Sequence, residues 1–73
     1  MVRRETFINK IRQLGYSYKG QQKRTYLYRK SGTIEYISVP MRDLMEDETV
    51  RIALRQKGIS EEEIESFLAA AKI

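Results

Sequence analysis

The stretch between Gly15 and Pro40 constrains this chain most. It is rich in tyrosine, threonine, isoleucine and valine, whose aromatic or branched side chains suit a pleated surface, and segments of helical period flank it on both sides. Ser31-Gly32 reads as a short hairpin turn between Thr25–Lys30 and Thr33–Val39, and Gly20 with Gln21 and Gln22 reads as an earlier turn. Three antiparallel strands are therefore expected. Pro40 ends the third, because it lacks a ladder N–H and holds the preceding residue extended. Alternation along the last two strands puts Tyr28, Ile37 and Val39 partly in the core.

Helices are expected on either side. Phe7, Ile8, Ile11 and Leu14 share one face of a helix over Arg4 to Leu14, and Gly15 follows where a left-handed residue closes the end. After Pro40 comes a connecting loop. Glu46, Asp47 and Glu48 then place negative charge at the start of a helix that runs through Lys57, with Arg55 and Lys57 in its last turn before Gly58. A third helix starts at Ser60, which can cap the backbone while Glu63 reaches back and Ile59 packs on Ile64. Ile64, Phe67, Leu68 and Ala71 form its buried face. The order is α-β-β-β-α-α, an α+β domain spanning 1–73.

With 73 residues there is no room for a second core, and a chain of this size buries only about 60% of its unfolded surface. The chain contains no cysteine and no histidine. Disulfides, thiolate zinc sites and the commonest general base are therefore absent, and no metal or other cofactor is expected. No apolar run approaches the ~20 residues that span a bilayer, and Met1-Val2-Arg3-Arg4-Glu5 lacks the apolar core of a leader. A cytoplasmic protein with no membrane partner is expected.

Net charge is +4, but it is unevenly spread. Residues 1–45 carry ten Lys/Arg against three acids, and residues 46–73 carry four against seven. The Lys19–Lys30 hairpin concentrates the positive side: Lys19, Lys23, Arg24, Arg29 and Lys30 are interleaved with Tyr18, Tyr26 and Tyr28, and no acid interrupts them. Cations bind phosphate oxygens and release counterions, while exposed rings stack on unpaired bases, so Lys19, Lys23, Arg24, Tyr26, Arg29 and Lys30 are the candidate RNA contacts. The same pattern also fits half-buried sheet tyrosines and lysines that protect an edge strand. A second set, Arg42, Arg51 and Arg55, either extends the basic surface or pairs with Asp47 and Glu48. The run Glu61-Glu62-Glu63-Glu65 reads as a helix start and solvated surface, and Met1, Met41 and Met45 as filling for core or loops.

Leu14-Gly15-Tyr16, the charged hairpin, Ser38-Val39-Pro40, Asp43-Leu44, Thr49-Val50-Arg51-Ile52 and Gln56-Lys57-Gly58-Ile59 together resemble the HicA toxin family, also called YcfA-like. The resemblance covers nearly the whole chain and rests on the order and spacing of these features, with the Asp-Leu to Thr interval one residue longer here. It implies a fold like the double-stranded RNA-binding domain, with helices on one face of a three-stranded antiparallel sheet. It also implies a bacterial or archaeal mRNA interferase, neutralised by a HicB-like antitoxin.

The departure falls on the catalytic residue. Family toxins carry Gly-Ser-His or Gly-Gly-His on the second strand. Ungapped counting from Gly15 to Pro40 puts Lys23-Arg24-Thr25 on that triplet, so Thr25 takes the histidine position; anchoring on Lys19-Gly20 gives Gln22 instead. Neither side chain exchanges a proton near neutral pH, as cleavage by the RNA 2′-hydroxyl requires. The expectation is an RNA-binding protein of toxin–antitoxin type with weak or no ribonuclease activity. The alternatives are a module that binds an acidic HicB-like partner and a ribonuclease with a relocated active site, to which Glu35, Asp43, a tyrosine or a desolvated lysine would contribute.

Overall fold

In the computed structural model, Met1–Lys72 are described. The elements in chain order are β1 (Val2–Arg3), α1 (Arg4–Gln13), β2 (Tyr16–Gln22), β3 (Thr25–Lys30), β4 (Tyr36–Pro40), β5 (Leu44–Met45), α2 (Asp47–Gln56) and α3 (Glu61–Ala71). The fold is α+β: β2, β3 and β4 make an antiparallel sheet in that order, and β1 and β5 make a separate two-stranded ribbon. No helix among the described residues is long and apolar enough to cross a membrane.

Local chemistry explains most boundaries. Leu14 and Gly15 close α1 with N–H bonds back to Ile11 and Arg12, and Gly15 has φ +99, where a Cβ is strained. Gly58 does the same after α2 with φ +78. At the start of α3 the Ser60 hydroxyl accepts from the Glu63 N–H at 3.2 Å. Only half of the expected capping box forms, because the Glu63 carboxylate reaches across to Lys10 Nζ at 2.9 Å.

Three expectations are corrected. The first turn does not fall at Gly20–Gln22. β2 runs on through Gln22, Lys19 is the extra residue of a bulge between Tyr18 and Gly20, and the chain reverses at Lys23-Arg24. Lys23 supplies the left-handed residue that a tight hairpin needs, with φ +48. Secondly, β4 begins at Tyr36, not Thr33. The Thr33 hydroxyl donates to Lys30 O and accepts from the Glu35 N–H, while Arg29 Nε donates to Thr33 O at 2.7 Å, and these bonds hold residues 33–35 in a loop. Thirdly, the expected order α-β-β-β-α-α lacked the β1–β5 ribbon. It pairs Val2 with Met45 and Arg3 with Leu44, continues into a bond from the Arg4 N–H to Asp43 O at 2.8 Å, and so ties the start of α1 to the segment after Pro40.

A single core joins these layers. Tyr16, Tyr28, Ile37 and Val39 on one face of the sheet are buried with Phe7 and Ile11 of α1, Val50 and Leu54 of α2, and Ile64 and Leu68 of α3. Val2 and Met45 close the ribbon end of the same cluster. Tyr28, Ile37 and Val39 thus lie deeper than expected, and the ladder pairs Tyr28 with Ile37 and Tyr26 with Val39.

Candidate nucleic-acid interface

The sheet distributes the hairpin side chains over separate places. Successive strand residues point to opposite faces, so Tyr26, Tyr28 and Lys30 face the helices while Leu27 and Arg29 face away. Tyr28 is buried in the core. Tyr26 is half-buried with the Arg4 guanidinium 5.4 Å from its ring centroid, and its neighbour Tyr18, at 6.3 Å between centroids, is 53% exposed. Tyr18 is therefore the hairpin tyrosine most available to a base, although Tyr26 held that place in the sequence reading.

The cations divide in the same way. Lys19 at the bulge and Lys23 and Arg24 at the turn are exposed. Arg29 is half-buried on the outer face, where it bonds Thr33 O and lies 5.8 Å from the Tyr36 ring centroid. Lys30 is half-buried at the opposite end of β3, with its aliphatic stem against Gly15. Lys23 and Arg24 thus form the hairpin tip, Lys19 lies further along β2 at the bulge opposite Leu27 and Tyr28, and Arg29 and Lys30 point to opposite faces at the far end of β3.

A residue from another segment joins the tip. The Met41 N–H donates to Arg24 O at 3.2 Å, which brings the chain after Pro40 against the turn. Arg24 and Arg42 consequently line one cleft. Arg3 and Arg4 lie close by on the ribbon and the start of α1, where Arg4 is 3.9 Å from the Asp43 carboxylate.

The remaining arginines of the second set are neutralised. Arg51 donates to Glu65 and Glu48, both at 2.9 Å, and Arg55 donates to Glu61 at 2.6 Å. These bonds raise both arginine pKa values and, through Arg55, hold the Glu61 carboxyl below its ordinary range. The partners are largely on α3, not the expected Asp47. Among the described residues no carboxylate pairs with Lys19, Lys23, Arg24 or Arg42. The charge asymmetry of the sequence is therefore sharpened in space, with Arg51 and Arg55 paired on α2 and Lys19, Lys23, Arg24 and Arg42 unpaired on the hairpin and beside its turn.

Gln22 and Thr25, the two positions that the resemblance set against the family histidine, are neighbours. Gln22 and Thr25 are cross-strand partners that close the hairpin, and the Thr25 hydroxyl donates to Gln22 O at 3.0 Å. Glu35 bonds through its carbonyl to the Lys30 end of β3, whereas Asp43 is joined to Arg4, beside Tyr26 at the other end. The two carboxylates thus share no common phosphate. Glu35 instead lies near Tyr16, whose hydroxyl pKa is raised first by burial and then by that charge. Among the described residues no group of three His, Cys, Asp or Glu could hold a metal ion.

Comparison of the chain with protein-family models, with curated proteins and with solved structures yields no match.

Proposed function

We propose that this is a HicA-like RNA-binding protein of bacterial toxin–antitoxin type, working in the cytoplasm without the family's ribonuclease step. The observation that carries the reading is the group of unpaired cations at and beside the turn of β2–β3, joined by Arg42, while Arg51 and Arg55 on α2 are paired. Phosphate oxygens are the natural partners of such a group, and each contact releases condensed counterions. The fold class alone would not support a function, so the weight rests on the side chains.

Catalysis is set aside on chemical grounds. At the histidine position Thr25 has a hydroxyl already donated to Gln22 O, and a threonine hydroxyl is no base at neutral pH. Arginine and lysine can stabilise phosphate charge but do not exchange protons there. The protein is therefore a binder that holds RNA without cutting it.

Titration of the purified protein with a labelled RNA hairpin, followed by a denaturing gel on the same samples, tests the proposal. Salt-sensitive binding with intact RNA is expected. Cut RNA would refute the non-catalytic part, and Glu35→Gln and Asp43→Asn would then locate the base. Absence of binding at low salt would refute RNA as the partner. It would favour an acidic antitoxin-like protein, for which the exposed Leu44 beside the arginines provides apolar contact.

A further inference from the structure

The sequence places Met1, Met41 and Met45 in no common pattern, yet the fold gathers all three methionines of the chain into one cleft. Its volume is about 520 Å³. The β1–β5 ribbon contributes Met45 and Leu44, the connection after Pro40 contributes Met41, and Met1 and Leu44 remain 47% and 42% exposed. Thioether side chains adapt their shape and are polarisable, which suits them to a flat aromatic group of variable outline. Arg24 from the hairpin tip and Arg42 from the β4–β5 connection border this apolar floor without a carboxylate partner among the described residues.

An apolar floor bounded by two free guanidinium groups matches a ligand with one flat apolar part and one anionic part. A single nucleotide has that composition, and the cleft lies within the range of small-molecule sites while being far too small for a duplex. Guanidinium planes also stack on bases that leave a helix. Glu46, which lines the cleft as well, repels phosphate but accepts hydrogen bonds from a base N–H. This orients the ligand, with phosphate towards the arginines and the base edge towards Glu46.

We propose that the cleft between the hairpin tip and the β1–β5 ribbon receives one unpaired nucleotide of the bound RNA. The inference rests on the RNA-binding reading and adds a preference to it: the protein favours RNA with a bulged or looped-out nucleotide over uninterrupted duplex. The paired flank of the RNA lies along Lys19 and Lys23, and the extruded base enters beside Arg24 and Arg42.

Two blunt-ended RNA duplexes identical but for one bulged nucleotide are titrated against the parent protein and against Thr49→Trp. Thr49 lines the cleft and is exposed, so the larger ring occupies the space without disturbing the core. The parent is expected to bind the bulged duplex about tenfold more tightly, the order of one stacked base. In Thr49→Trp that advantage is lost while affinity for the plain duplex is unchanged. A second variant, Met41→Ala, enlarges the cleft and is expected to reduce the advantage in part. Equal binding of both duplexes by the parent overturns the inference and leaves RNA binding standing. An advantage that survives in Thr49→Trp overturns it too, by placing the unpaired nucleotide elsewhere. Binding of neither duplex at low salt refutes the RNA reading itself.

Discussion

Removing Arg24 and Arg42 together is expected to change the salt dependence of RNA binding, not merely its strength. Lys23 and Arg24 at the hairpin turn, Arg42 beside it and Lys19 at the β2 bulge have no carboxylate partner among the described residues. If each neutralises one phosphate of duplex-like RNA, log K falls with log salt at a slope of about −3.6, from about −0.9 per contact. Between 50 and 200 mM salt the affinity then drops about 150-fold. In the double variant Arg24→Gln/Arg42→Gln the slope falls to about −1.8 and the same change in salt costs only about 12-fold. The matching control is Arg51→Gln/Arg55→Gln, which removes the same formal charge from side chains bonded to Glu48, Glu65 and Glu61. Its slope is expected to stay near that of the parent. Fluorescence anisotropy with a labelled RNA hairpin at four or five salt concentrations measures all three. Equal slopes for the two double variants would refute the reasoning, because binding would then follow net charge and not the unpaired cations.

The remaining predictions concern stability. Leu54 is fully buried among Val50, Ile64 and the sheet, so Leu54→Ala is expected to cost about 2–5 kcal/mol and lower Tm by about 10 °C or more, read by circular dichroism; a shift of a few degrees would contradict the single core. Gly58→Ala forces a Cβ into φ +78 and is expected to cost about 1–2 kcal/mol in urea unfolding, whereas Gly20→Ala, with open space at its Cβ and no positive φ, is expected to be nearly neutral. Equal losses at both would show that the bulge, like the helix end, depends on glycine. The Arg55–Glu61 pair contributes on acid titration. Because the Glu61 carboxyl is held below its ordinary value of 4.5, its stabilisation is present above that value and is lost as pH falls through the lower folded value. The difference in urea midpoint between the parent and Arg55→Gln is therefore expected to shrink from pH 6 to pH 3, and a difference constant with pH would contradict the pairing.

Local signals in the sequence located the elements well where one residue settles the geometry. Gly15, Gly58 and Ser60 mark helix ends through positive φ or a capping hydroxyl, and Pro40 is the last residue of β4. The sequence misled where two residues compete for one role. Gly20 drew the turn to itself, but it lies within β2 beside the Lys19 bulge without a positive φ, and Lys23 took the left-handed position. The β1–β5 ribbon was invisible because two-residue strands have no period to detect; only the pairing of Val2 with Met45 creates them.

The layout of the candidate site was legible in the same partial way. The charge imbalance and the acid-free hairpin can be counted directly, but their grouping follows from tertiary pairing. Arg42 appeared beside Arg51 and Arg55 in sequence, whereas the bond between Met41 and Arg24 moves it to the hairpin tip, and α3 supplies the acids that occupy the other two. Tyr26 and Arg29 looked adjacent on one basic strand, yet the strand period sends them to opposite faces. Thr25 and Gln22, separated by two residues in sequence, are brought together by the register as the closing pair of one hairpin.

The most direct test is a nuclear magnetic resonance titration of isotopically labelled protein with an RNA hairpin, following backbone amides. Shifts are expected to concentrate at Lys19–Thr25 and Met41–Leu44, with α3 and the paired face of α2 unchanged. Shifts centred on Arg51, Arg55 and Glu61–Glu65, or none at saturating RNA and low salt, would contradict an RNA interface at the hairpin tip.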